Sequence, residues 1–450
     1  MDRRNKMQAM PMGRLVLDMS LPMMASLLIQ SLYNIVDSVF VARLGEATLA
    51  AASLAYPVQM LMISVGVGGA VGLNAVLSKA LGAGKEEDAS RLACTGVVVA
   101  AAWGLVFTVS GLLLADRLAG WFTSDPVVSA QCAEYLWICM VFSMGNMVCM
   151  TYQRLMQATG KTLLSMLILV AGAVTNLVLD PVMIFGMLGC PALGIRGAAI
   201  ATVIGQWVSM LVGFALQHFR NPEIRLSFRG FRMKTVDVKA IYRVGLPTII
   251  TQAMQSMMVT CFNAILLPFS ATAVAFFGVY YKLQTFLFMP MNGLGQAAIP
   301  IIGFSYGARN RQRIREAMRV IYPMAAGIAL MGTVLFMVIP GVLLSMFSAG
   351  EAMLALGRPA MRIMAVTFVP AAVSMVTGYM ASGLQDGVTN MLSAFLRQFI
   401  PLIPCAWLLA SVSGVHAVWF AFWISEACAL AYSVLRIRRL LKRRVDPLEH

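Results

Sequence analysis

The sequence predicts an all-α polytopic membrane protein: twelve transmembrane helices in two parallel-repeat six-helix lobes that form a V-shaped cavity. Three observations carry that prediction. Of 450 residues, 60% are hydrophobic and 12% charged, and the mean hydropathy is +0.80, a balance foreign to soluble globular domains. The apolar residues form long continuous runs and not alternating strands, which excludes the barrel class. The two halves of the chain also repeat each other at an offset near 225 residues.

Runs of spanning length fall at 15–42, 52–78, 92–114, 134–158, 163–186, 197–216, 245–268, 272–300, 320–345, 360–383, 391–411 and 414–435. About twenty apolar residues suffice to cross a hydrocarbon core as a helix. The first run is too long for a signal peptide and has no small-residue cleavage pattern, so it is expected to stay in the membrane. The repeat maps Leu21-Pro22 onto Leu246-Pro247, Gln30 onto Gln255, Tyr56 onto Tyr281 and Gln59 onto Gln284 at one offset. Later the register drifts, with Gln157 meeting Gln385 at 228 and Gly194 meeting Gly414 at 220. Six helices return the chain to its starting side, so the halves are parallel repeats. The expected division is an N-terminal lobe 1–219, a basic linker 220–243, a C-terminal lobe 244–435 and a basic tail 436–450.

The formal charge of +15 is distributed by side. Arg3, Arg4, Lys6 and Arg14 precede the first run, seven Lys and Arg fill 220–243, and Arg309–Arg319 and Arg436–Arg444 are equally basic. The alternate connections hold only Arg43, Arg117, Arg196, Arg358 and Arg362. The positive-inside rule then places both termini in the cytoplasm, with the basic runs facing anionic lipid and not nucleic acid. The eight cysteines form no CxxC pair and no Cys/His cluster, so they read as apolar packing residues. The 35 methionines suit surfaces that accept variously shaped apolar ligands. GxxxxGK[ST] is absent, and the glycine-rich GVGGAVG at 66–72 lies inside an apolar run, where close helix packing explains it.

Within the first run, Gln30, Asn34 and Asp37 recur at i, i+4, i+7 with Tyr33 beside them, so they share a face. An ionised Asp near the bilayer centre costs roughly 2.5–3.5 kcal/mol, which turns that face toward protein or water. Asn176 and Asp180 in NLVLDP are again i, i+4, with Pro181 loosening the next turn, and Thr202 in GAAIAT lies at compatible depth. Two carboxylates, an amide oxygen and a hydroxyl suit a hard monovalent cation. The same two carboxyls, desolvated side by side, can instead carry a proton. Under the repeat Asp37 becomes Phe262, Asn176 Pro404, Asp180 Leu408 and Thr202 Phe422, so only the first lobe keeps the polar set. The second lobe has its own charges in Lys282, Arg397 and Glu426, expected to neutralise one another.

With LP…Q..YN..D, NxxxDP and GAAIAT in place, the chain resembles the multidrug and toxic compound extrusion (MATE) family over essentially its whole length. That resemblance implies efflux of amphipathic, often cationic organic compounds in exchange for H⁺ or Na⁺, by alternating access of two lobes. It implies a cation site at Asp37, Asn176, Asp180 and Thr202 with Tyr135 nearby, and bending at Pro22. Gln30 and Tyr33 match positions lining the drug cavity; Asn34 on the same face, and Gln255, Tyr281 and Gln284, complete the candidate lining. The acidic residues that the NorM-type branch carries in helices 7 and 10 are missing, since the first position is Gln255, so the chain looks more like the DinF-type branch. Their absence tips the coupling ion toward H⁺.

Lipid or oligosaccharide-lipid flipping, as in the wider superfamily, is the alternative; more helices or a strongly cationic cavity would suit it better. No enzyme is expected: His218, His416 and His450 lie outside spans or at their ends, and no HExxH appears. A channel fits poorly with carboxylates in one lobe only. The chain is expected to be a monomer in the bacterial inner membrane, with lipid and small organic substrates as partners and no cofactor beyond the coupling ion. Leu448-Glu449-His450 reads as an affinity-tag junction.

Overall fold

The computed structural model describes residues 6–229, 231–347 and 350–448; Arg3, Arg4, Glu449 and His450 lie outside it. Every regular element among the described residues is helical. Among the described residues ten helices are long and apolar enough to span a membrane, and two bent pairs, each taken as one span, bring the number to twelve. In chain order these are α1 Met12–Ala42, α2 Glu46–Gly82, α3 Glu86–Phe122, α4 Pro126–Val141 with Met144–Ala158, α5 Thr162–Phe185 and α6 Ile195–Arg220. The second half has α7 Thr235–Leu266, α8 Ala271–Gly307, α9 Arg311–Val338, α10 Glu351–Ala365 with Phe368–Gly383, α11 Gly387–Ser413 and α12 Val418–Val445. The chain is thus an all-α polytopic membrane protein.

The bends repeat with the sequence. α4 turns by 48° at Phe142–Ser143 and α10 by 50° at Val366–Thr367, 224 residues further along. A broken helix inside a bilayer frees carbonyls that lipid cannot satisfy, so protein must. Both halves do it alike. Thr108 of α3 donates to the Val141 carbonyl at 2.8 Å, and Thr333 of α9 donates to the Ala365 carbonyl at 3.0 Å. The indole N–H of Trp207 in α6 donates to Phe142 O at 3.1 Å, and that of Trp423 in α12 to Ile363 O at 2.7 Å.

The chain separates into two compact units, Ala25–Ile249 and Met1–Met24 with Ile250–His450. Each boundary falls inside a helix, three residues after a proline: Pro22 in α1 and Pro247 in α7. Proline interrupts the backbone hydrogen bonding of a helix interior, and these two are the matched prolines of the repeat. Residues 220–243 fall wholly in the first unit. There Asp237 accepts from Arg91 at 2.7 Å, and Trp103 donates to the Tyr242 hydroxyl.

In the unit Ala25–Ile249, α2 packs on α3 and on both parts of α4, and α5 packs on α6. The glycine run of α2 faces the first half of α7: a Cβ at Gly72 would strike the Ile241 carbonyl, so the two backbones touch. In the other unit α8 takes the place of α2, against α9 and the second part of α10, while the N-terminal segment is held by Arg313, which donates to the Met7 and Met10 carbonyls. Leucine, valine and aromatic side chains such as Leu113, Val178, Leu330 and Trp407 remain exposed along the helices, as lipid-facing surfaces do.

Removing the threonine that serves a broken carbonyl isolates the effect of the break. Thr108→Val and Thr333→Val should each destabilise the protein by about 1–2 kcal/mol. The readout is the thermal unfolding midpoint in detergent, and an unchanged midpoint in both would remove the role assigned to these hydroxyls.

Candidate cation site

Four helices of the first unit bring polar side chains together at one place. α5 carries Asn176 and Asp180 on the face turned to α6, and α6 carries Thr202. The helices approach closely because Gly172 and Gly205 meet: a Cβ on either would stand 2.8 Å from the other's carbonyl oxygen. That approach lets one amide join two helices. Asn176 Nδ2 donates to Asp180 Oδ1 at 3.2 Å and to Thr202 Oγ1 at 3.3 Å.

α1 adds Asp37, whose carboxyl lies against that of Asp180. Asp180 is completely enclosed and Asn176 is 3% exposed, whereas Asp37 is half-buried. Asp37 Oδ1 and Asp180 Oδ2 are both buried and have no hydrogen-bond partner. Two carboxyls cannot face each other in an apolar interior with oxygens unmet unless a cation or a shared proton joins them. The hydroxyls of Tyr33 on α1 and Tyr135 on α4 are both within electrostatic reach of Asp37. All five residues expected to surround a coupling cation, Asp37, Asn176, Asp180, Thr202 and Tyr135, therefore meet in one neighbourhood of a single unit.

Two participants were not singled out for this place. Gln59 of α2 donates from Nε2 to the Tyr135 hydroxyl oxygen at 3.2 Å, and Cys139 Sγ lies 3.7 Å from the same nitrogen. Cys139 could have been found by its i, i+4 spacing from Tyr135. Gln59 had only its recurrence in the repeat to mark it.

Of the remaining candidates, Gln30 is half-buried and Asn34 exposed on α1; Gln255 is exposed on α7, and Tyr281 and Gln284 are half-buried on α8. Pro22 lies within α1 without ending it. The second unit places its charges differently from the expectation of three neutralising groups. Arg397 Nε and Glu426 Oε1 stand 3.9 Å apart, with Glu426 Oε2 unpartnered. Lys282 is exposed and has no ion-pair partner among the described residues. It sits on α8, outside the pair formed by α11 and α12.

The repeat counterparts of the polar set divide in two. Phe262 and Phe422, which the repeat sets at the positions of Asp37 and Thr202, pack into one aromatic cluster with tilted rings whose centroids are 5.3 Å apart, and Phe277 lies 4.5 Å from Phe262. Pro404 and Leu408 are instead exposed. A turn at residues 399–401 interrupts α11 just before them.

The MatE family model matches residues 22–182 and 247–408, one copy in each half. The chain belongs to the MatE family. Among curated relatives it is 26% identical over 435 residues to the probable multidrug resistance protein NorM of Agrobacterium fabrum, covering 94% of this chain and 93% of that one. It is 21% identical over 426 residues to the multidrug export protein MepA of Staphylococcus aureus RF122, covering 94% and 92%. A solved multidrug resistance MATE family transporter in an outward-facing conformation superposes with a TM-score of 0.89 at 23% identity, covering 98% and 99%. Both family segments of this MatE protein begin at the matched helices, at Pro22 and at Pro247. The protein is a membrane transporter and not an enzyme.

Because Asn176 donates both to Asp180 on its own helix and to Thr202 on α6, Asn176→Ala leaves the buried Asp180 Oδ1 without its donor and cuts the bond to the half-buried Thr202 hydroxyl. A loss of about 1–3 kcal/mol follows from unsatisfied buried acceptors. Asn176→Ala unfolding at the wild-type temperature would mean that the amide is not structural to the cluster.

Proposed function

We propose that this protein is a secondary active antiporter that exports amphipathic, often cationic organic compounds in exchange for a monovalent cation, by alternating access of its two halves. The observation that carries the reading is the Asp37–Asp180 pair, two facing carboxyls with unpartnered buried oxygens in a chain of spanning helices. Export of drugs is supported by the names of the NorM and MepA relatives, each aligned over nearly the whole chain. Both termini are proposed to be cytoplasmic, in a bacterial inner membrane, from the one-sided distribution of Lys and Arg. The protein is proposed to act as a monomer.

The coupling ion is proposed to be H⁺. A sodium ion needs several oxygens converging on it, but the amide of Asn176 turns its NH₂ to both Asp180 and Thr202 and so directs positive hydrogens into the cluster. A proton shared by Asp37 and Asp180 tolerates that arrangement. In this scheme protonation neutralises the pair and exchanges with substrate binding across the transport cycle.

Ethidium efflux from proteoliposomes, with each gradient imposed separately, tests the scheme. Asp37→Asn should abolish gradient-driven efflux while the protein still inserts; wild-type drug resistance at equal membrane abundance would sink the coupling role. Efflux driven by inward Na⁺ at clamped pH, and lost in Thr202→Val, would replace H⁺ by Na⁺.

The two units should also differ. Glu426 already has Arg397 as a partner, whereas Asp180 faces another carboxyl. Glu426→Gln should therefore impair efflux less than Asp180→Asn after correction for expression. The reverse order would move the coupling site to the second unit.

A further inference from the structure

Four turns of the chain close in the same way: α2 to α3, α4 to α5, α8 to α9 and α10 to α11. In each, one residue has a left-handed backbone and the next donates its N–H five residues back. These bonds are Lys85 to Ala80 O at 3.1 Å, Lys161 to Met156 O at 2.8 Å, Asn310 to Ser305 O at 3.0 Å and Asp386 to Ala381 O at 2.9 Å. The left-handed position of such a helix end favours glycine. The first half supplies it, with Gly84 at φ 70° and Gly160 at φ 80°. At the 225-residue offset the second half has Arg309 at φ 56° and Gln385 at φ 67°. Among the described residues these are the only non-glycine side chains at positive φ. A side chain stays in that conformation where its surroundings impose it.

What imposes it in the second half comes from the end of α12. Arg436 donates from Nη2 to Asp386 Oδ2 at 3.3 Å and from Nε to Thr389 Oγ1 at 3.1 Å. Thr389 in turn donates to the same carboxylate oxygen at 2.9 Å, and Asp386 is buried. Further along, Arg444 donates to the Leu384 carbonyl. Two residues later the chain reaches the other turn. Asp446 Oδ1 accepts from Arg315 at 2.9 Å, and the Asp446 carbonyl accepts from Arg311 at 3.4 Å. Those arginines lie four apart on one face of α9. Cations at a helix N-terminus oppose its dipole, and Asp446 offsets them. Val445, between Arg444 and Asp446, is fully buried, so this end is packed and not a loose basic tail.

We propose that residues 436–446 form a strap that ties the two strained turns together, so that the ends of α8–α11 move as one block when the transporter changes state. Only the transport consequence rests on the antiport reading, and none of it depends on which ion couples. The first half is held by the segment after its own sixth helix, with the polarity reversed. There the turn carries the cation. Lys161, the counterpart of Asp386 at 225, donates to Arg220 O at 2.9 Å and Asn221 Oδ1 at 3.1 Å, and pairs with Glu223 at 3.3 Å. A contact whose sign inverts between halves serves to hold the turn and not to bind an ion of one charge.

Amide hydrogen exchange in the purified full-length protein reads the turns directly. Asp446→Asn should speed exchange about tenfold, the worth of one hydrogen bond to a charged group, at 309–315 and also at 384–389. Faster exchange confined to 309–315 would make these two separate contacts and overturn the strap. Arg436→Gln should loosen 384–389, and less so beside Gln385→Gly, because glycine holds the turn unaided. Equal effects in both backgrounds overturn the role given to strain. Asp386→Lys with Arg436→Glu copies the polarity of the first half and should regain protection that either change alone removes. Should that pair insert poorly, Asp386→Asn with Arg436→Gln should lose no more than either single variant, and additive losses overturn the pairing. In proteoliposomes Asp446→Asn should lower the maximal rate of ethidium efflux while the half-saturating ethidium concentration stays unchanged. A wild-type rate beside faster exchange at both turns overturns the block motion. If the wild-type protein shows no gradient-driven efflux, the antiport reading falls, and the exchange rates still decide the strap.

Discussion

Hydrocarbon supplies no hydrogen-bond partner, and that constraint governs the rest of this structure. Every break in a spanning helix has to be closed by protein. At Phe142–Ser143 and Val366–Thr367 it is closed by the same two means, a threonine from the third helix of the half and an indole from the sixth. The same constraint turns Asn176, Asp180 and Thr202 inward between α5 and α6, where one amide meets both neighbours. Other buried polar atoms also lack partners, Glu426 Oε2 among them, but Asp37 and Asp180 are two carboxyls set against each other with an unmet oxygen apiece. A buried pair of like-charged groups stores electrostatic cost that a cation relieves, and relief by a cation is the elementary step of ion coupling.

The two halves share a backbone and differ in chemistry. Their prolines, bends and the threonines that meet the broken carbonyls recur at offsets of 224–225 residues, and the indoles at 216, because helix geometry and the lipid boundary constrain both halves alike. Side chains at the matched place are under no such demand. Where the first half has Asp37 and Thr202, the second has Phe262 and Phe422 in contact, and a cluster of aromatic rings fills the space that polar groups occupy in the first. One half is thus built to hold charge and the other to pack. Arg397 and Glu426 fit this contrast, since an ion pair between α11 and α12 leaves little net charge for transport to use.

The sequence by itself determined the class of the fold. Twelve runs of apolar residues became twelve spans, because the solvent demands length and hydrophobicity of every segment, and both are written locally. It also indicated Asp37, Asn176, Asp180 and Thr202, since ionisable and polar residues are conspicuous in apolar runs and i, i+4 spacing shows which of them share a face. What tertiary structure alone decided was which groups meet across helices. Gln59 reaches Tyr135 over 76 positions of chain, and no local pattern encodes that contact. The separation of Lys282 from Arg397 and Glu426, the exposure of Pro404 and Leu408, and the passage of α1 and α7 between units just past their prolines are likewise consequences of how helices rotate and pack. The reason is physical: spacing along one helix is set by 3.6 residues per turn, whereas the facing of two helices is set by the side chains between them, such as the paired glycines 172 and 205.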